Sequence, residues 1–145
     1  VPKFWGGTAP CDWVDNDLEV LITRARRAGA RVVLVGQPQR APSFDHEDRV
    51  AAINGMLQEF ATRWAFVSYV DAGAAVEAPD GQFADRLPCT QFDIDCAADG
   101  QTVVRGDGVH FCPVVNVTPC PVYSSGALRF ALAISSAAND PAAFD

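Results

Sequence analysis

Two short runs rich in β-branched residues, RVVLVG at 31–36 and WAFVSYV at 64–70, constrain this chain more than any other feature. The first is apolar on both faces and reads as a buried parallel strand. The second reads as the next strand and ends at Asp71. Between them, DHEDRVAAINGMLQEFAT at 45–62 carries Val50, Ile53, Met56, Leu57 and Phe60 at helical spacing, interrupted only by Gly55. Upstream, residues 15–28 place Leu18, Leu21, Ile22 and Ala25 on one helix face, with Asp15 as the expected cap and Gly29 as the stop. KFWGGT at 3–8 reads as a strand end running into a glycine turn, and VYSSGALRFALAISSAA at 122–138 as a closing helix. The order strand, helix, strand, helix, strand with short links predicts a layered α/β fold with right-handed crossovers.

The segment from Asp71 to about Arg105 breaks this rhythm with PDG, LPC and AADG. Connections of that length in a compact domain carry sites or need staples. The 145 residues suit one domain. About three strands are too few for an open α/β sheet, and VPKFW reads as the inside of a strand. We therefore expect one or two strands and a helix before Val1, in a longer parent.

Charge and composition narrow the partners. A net charge of −7 with dispersed basic residues argues against a nucleic-acid surface. No apolar run reaches the length of a transmembrane helix. The five cysteines, Cys11, Cys89, Cys96, Cys112 and Cys120, form no C-x-x-C pair. Cys89 with Cys96, and Cys112 with Cys120, are candidate disulfides, because each would staple a loop that has little apolar content of its own. Cys11 is then left without a local partner. The preferred reading is an extracytoplasmic protein with disulfides, and five buried thiols in a cytosolic protein is the alternative.

Of the two histidines, His46 lies among Asp45, Glu47 and Asp48 at a helix start and reads as a solvated residue. His110 lies in GDGVHFCP at 106–113, between Val109 and Phe111, three positions after Asp107. At that separation in irregular backbone the carboxylate can accept the Nδ1 proton, leaving Nε2 to take a proton from a hydroxyl. A turn aspartate beside a core histidine is the bland alternative. Asp93, Asp95 and Asp99 lack the spacing of a calcium loop and read as a solvated acidic stretch. No zinc set is apparent, and GGT at 6–8 is not a phosphate loop.

Together with HFCP, CPVYSSGALRFALA and the strand–helix order, Asp107-Gly108-Val109-His110 resembles the D-x-x-H block of SGNH/GDSL-type serine hydrolases. The likeness is to the C-terminal part of the secreted actinobacterial branch, from Phe4 to about Ala138. FWGGTAPC at 4–11 is similar to that family's central block. The resemblance implies a flavodoxin-like three-layer α/β/α sandwich with a mainly parallel sheet. It also implies a Ser-His-Asp triad with His110 as base and Asp107 as its orienting acid. Two departures stand out. The Gly-Asp-Ser block that supplies the nucleophile is absent, and Ser43, Ser68, Ser124 and Ser125 do not match its position. Gly7 stands where the family offers an Asn donor to the oxyanion, a loss of roughly 3 kcal/mol in the transition state. Gly6, Gly7 and Thr8 remain the expected oxyanion region.

The resemblance thus points to an extracytoplasmic serine esterase or O-acyltransferase whose Ser precedes Val1. It would act on an acyl ester or an acylated carbohydrate, with no metal or organic cofactor. The alternatives are a non-catalytic carbohydrate-binding or envelope module of the same fold, and a cytosolic α/β binding domain. Trp5 and Trp13 are candidates for the pocket rim, or for the core.

Overall fold

A computed structural model describes residues 12–43, 47–111 and 124–144. The elements run in the order α1 (Asp12–Arg27), β1 (Val32–Val35), α2 (Glu47–Ala61), β2 (Val67–Val70), a 3-10 turn (Gly73–Val76), β3 (Arg86–Pro88), β4 (Gln101–Val103), α3 (Ser125–Asn139) and a last 3-10 turn (Pro141–Phe144). The predicted strand at 3–8 lies outside the described residues.

The α/β expectation holds. β1 and β2 pair in parallel, Val32 opposite Val67 and Val35 opposite Val70, with α2 as the crossover between them. The expectation of a mainly parallel sheet is corrected in one respect. β3 and β4 form a separate antiparallel pair, Arg86 opposite Val103 and Pro88 opposite Gln101. Three-residue strands, one of them ending in a proline, carry too little alternation to be read from sequence.

The core follows from the two periodicities. Along the strands, Val32, Leu34, Val67 and Tyr69 share one face by the two-residue alternation. Ile22 of α1 and Phe60 of α2 join Leu34 and Val67 in a buried cluster, with Leu18, Leu57, Trp64 and Phe66 packed against it. Phe60 is fully buried and its ring centroid lies 5.0 Å from that of Trp64. Burying each such side chain stabilises the fold by about 1.5–3 kcal/mol.

Two local expectations change. Leu21, placed on the apolar stripe of α1, is 59% exposed, because Leu18, Ile22 and Ala25 form the inward ridge and Leu21 sits on its flank. Asp15, the expected cap, lies one turn inside α1, which begins at Asp12. The C-terminal stop is as expected: Ala30 N–H donates to Ala25 O at 3.0 Å and Gly29 N–H to Arg26 O at 3.0 Å, a Schellman closure.

α3 begins where Ser124 caps it, its Oγ accepting from Ala127 N–H at 3.1 Å. Gly126 is there for space. A Cβ on it would stand 2.1 Å from Val104 O, so the helix start presses directly on the chain leaving β4. Gly126→Ala is therefore expected to destabilise the domain by about 1–3 kcal/mol. Gly55→Ala, at a mid-α2 position with nothing within 4 Å of the new methyl, is expected to stabilise it by up to about 1 kcal/mol. Denaturant unfolding of the two variants checks the pair, and equal effects would contradict the packing.

Candidate active site

The parallel pairing of β1 and β2 puts both carboxyl ends on one edge, the edge where open α/β sheets place their ligands. The loop that leaves β1 there is held from several sides. Asn54 of α2 clasps Gln37 through both its N–H and its carbonyl, each at 2.8 Å. Glu77, just past the 3-10 turn that follows β2, accepts the Gln39 N–H at 2.6 Å. Burial pushes the Glu77 carboxyl upward, against the opposing effect of that hydrogen bond.

The turn bearing Asp107 and His110 docks on this loop. Val104 and Arg105 N–H donate to Asp85 O at 2.8 and 3.2 Å, which fixes the exit from β4. Gly108 N–H then closes the turn on Arg105 O at 3.0 Å, at a φ of 86° that a side chain would resist. Gly108 O in turn accepts Ala41 N–H at 2.9 Å. The turn thus sits against the segment leaving β1.

Within it, the expected pair forms. Asp107 Oδ1 accepts the backbone N–H of Val109 at 3.0 Å and of His110 at 2.7 Å, an Asx-type turn. Asp107 Oδ2 lies 2.7 Å from His110 Nδ1. Nδ1 therefore carries the proton, and Nε2 is the nitrogen left to exchange one. The imidazole is 74% exposed while the carboxylate is only 20% exposed. Of the bland alternative, the turn aspartate is present and the core histidine is not.

Burial alone would raise the Asp107 carboxyl. The hydrogen bonds from the His110 ring and from the Val109 and His110 backbone outweigh it and hold the group at about 2, against an ordinary 3.8. The folded value lies below the unfolded one. The pairing therefore stabilises the protein fully above about pH 4 and loses its contribution as the pH falls toward 2. An NMR titration of the Asp107 carboxyl carbon is expected to show a midpoint near 2, and a midpoint at 3.8 would mean that the hydrogen bonds are not made.

Sequence reasoning missed Arg105. Its side chain is fully buried, donating from Nη1 to Gln39 O and from Nη2 to Val76 O at 3.1 Å, with its guanidinium 4.8 Å from the Phe83 ring centroid. Burial disfavours its charge, and the nearby Glu77 carboxylate favours it. The only hint in the sequence is an arginine directly after the β-branched run TVV.

The acidic stretch is corrected too. Asp93 is not solvated: its side chain is buried against Arg129 of α3, whose Nε donates to Oδ1 at 2.9 Å and whose Nη2 bonds Oδ2 at 2.5 Å. That contact, helped by Thr90, holds the Asp93 carboxyl well below the usual carboxylate range. Asp99 pairs with Arg86, Nη2 to Oδ2 at 3.0 Å, and Asp95 stays exposed. The expected disulfide between Cys89 and Cys96 is present and closes the loop around Asp93. A cavity of about 390 Å³ follows β2, lined by Asp71, Ala74, Glu77, Pro79, Leu87 and Arg129.

Other expected site residues lie outside the described residues: Gly6, Gly7, Thr8, Cys11, Cys112, Cys120 and Trp5, as do the Trp13 side chain and His46, which was read as solvated. Ser124 caps α3, Ser125 Oγ accepts Ile94 N–H at 3.3 Å, and Ser68 is buried on β2. None of these hydroxyls bonds His110. Among the described residues no three His, Cys, Asp or Glu side chains gather as a metal-binding group. No helix among them is long and apolar enough to cross a membrane. No protein-family model, curated protein or solved structure matches the chain.

Proposed function

We propose that this chain carries the acid–base half of an extracytoplasmic serine ester hydrolase or O-acyltransferase of the SGNH type. One observation carries the reading: Asp107 Oδ2 lies 2.7 Å from His110 Nδ1, on a turn docked at the carboxyl edge of two parallel strands. The nucleophile in this reading is a Ser outside the 145 residues. His110 Nε2 takes the Ser proton as its oxygen attacks the acyl carbonyl, then returns that proton to the leaving alcohol. Asp107 holds the ring in the required tautomer and stabilises the imidazolium. Water as second acceptor gives hydrolysis, and a sugar hydroxyl gives transfer.

Several features support the wider reading. The α2 crossover, and α3 in contact with both β1 and β2, suit a flavodoxin-like three-layer fold. The Cys89–Cys96 disulfide suits an oxidising compartment.

A short-chain acyl ester offered to the full-length polypeptide tests the proposal. Turnover that rises with deprotonation of one group and vanishes in Asp107→Ala is the expected result, and a full-length polypeptide with no turnover and no acyl transfer would contradict it. One observation favours a second reading, a non-catalytic carbohydrate-binding or envelope module. Gly7 stands where the family places an oxyanion donor. Binding of an acylated glycan without turnover is its signature.

A further inference from the structure

We propose that Arg105 is a positioning residue for the Asp107–His110 pair. The inference deepens the functional reading above and rests on it for its catalytic meaning. Arg105 bridges both loops that leave the parallel strands. Its Nη1 holds Gln39 O beyond β1, and its Nη2 holds Val76 O beyond β2. The backbone of the same residue starts the turn, since its carbonyl accepts Gly108 N–H at 3.0 Å. Gly108 O then binds Ala41, so residues 105–108 grip the 39–41 segment at two points, one by side chain and one by backbone. Asp107 lies between those grips, and His110 hangs from Asp107.

The chemistry at this position is costly. A fully buried guanidinium has no carboxylate hydrogen-bonded to it among the described residues, and its Nε has no partner. Glu77 is near enough to favour the charge but spends its own hydrogen bond on Gln39 N–H. Packing alone would be better served by an apolar side chain of similar volume. What the guanidinium provides is a planar fork that holds two carbonyls in fixed directions, which neither a methionine nor a single ammonium reproduces. That fork sets where the turn sits against the β1–β2 edge.

Amide exchange and ring ¹⁵N shifts of the 145-residue chain test this in wild type, Arg105→Met and Arg105→Lys. Protection at Ala41, Val109 and His110 is expected to fall by about tenfold in Arg105→Met, with less loss in Arg105→Lys, while Val32 and Val67 stay protected. The His110 ring is expected to change from an Nδ1–H form to a mixture of tautomers. In the full-length polypeptide kcat falls and KM holds. Unchanged protection and ring shifts would overturn the proposal. So would loss of protection at Val32 and Val67 in both variants, which is the signature of a structural role only. The first two readouts need no activity. An inactive wild type would therefore remove the hydrolase reading while leaving the effect of Arg105 on the pair measurable.

Discussion

His110→Gln in the full-length polypeptide is expected to lower ester turnover by about 10⁴-fold or more, with little change in stability. The ring is 74% exposed and, among the described residues, its anchoring contact is the one to Asp107, so removing it leaves no core cavity. In the proposed reaction the imidazole is the group on this turn that takes the nucleophile's proton, and glutamine cannot replace it. Asp107→Asn is expected to fall by a similar factor for a different reason. The amide can still occupy the space, but at Nδ1 it can present a donor where an acceptor is needed, favouring the wrong tautomer. It also loses part of the acceptor strength that organises Val109 and His110 N–H. The pair should act as a unit, so the double variant falls no further than the worse single one. Additive losses would show that the two residues act separately.

Arg129→Met is expected to have the largest effect on stability. It leaves the Asp93 carboxylate buried without its cation, a change that costs about 3 kcal/mol. That is the lower end for a buried pair, because Thr90 N–H and Oγ1 still bond Asp93 Oδ2 at 2.6 and 3.0 Å. Thermal unfolding should shift down by on the order of 10 °C. The sign of the pH dependence follows from the depressed Asp93 pKa: the pair's contribution is present at neutral pH and above about pH 4, and is lost as acid protonates the carboxyl. Adding Asp93→Asn to Arg129→Met should recover part of the loss, since the stranded charge is gone. A double variant no more stable than Arg129→Met would mean that Asp93 is not held as an anion.

Both sites show what sequence can and cannot carry. Asp107 and His110 were legible because their interaction is local, three residues apart on one turn. β1, β2 and α2 were legible because β-branched runs and a helical stripe state their own period. Asp93 read as a solvated acid because its partner lies 36 residues away on another element. Arg105 was silent for the same reason: the carbonyls it holds are 66 and 29 residues away, and a backbone carbonyl leaves no mark in a sequence. β3 and β4 depend on the disulfide-closed region between them and on each other's register, neither of which is a local property. Leu21 failed in the opposite direction, since periodicity names a face but not how wide a strip the fold covers.

In the proposed reaction the Asp107–His110 turn activates a serine. Reaction of the full-length polypeptide with a fluorophosphonate, followed by peptide mass spectrometry, tests it most directly. One modified serine is expected, labelled rapidly in wild type and not detectably in His110→Ala. Undiminished labelling of the same serine in His110→Ala, or no labelled serine in the wild type, would contradict it.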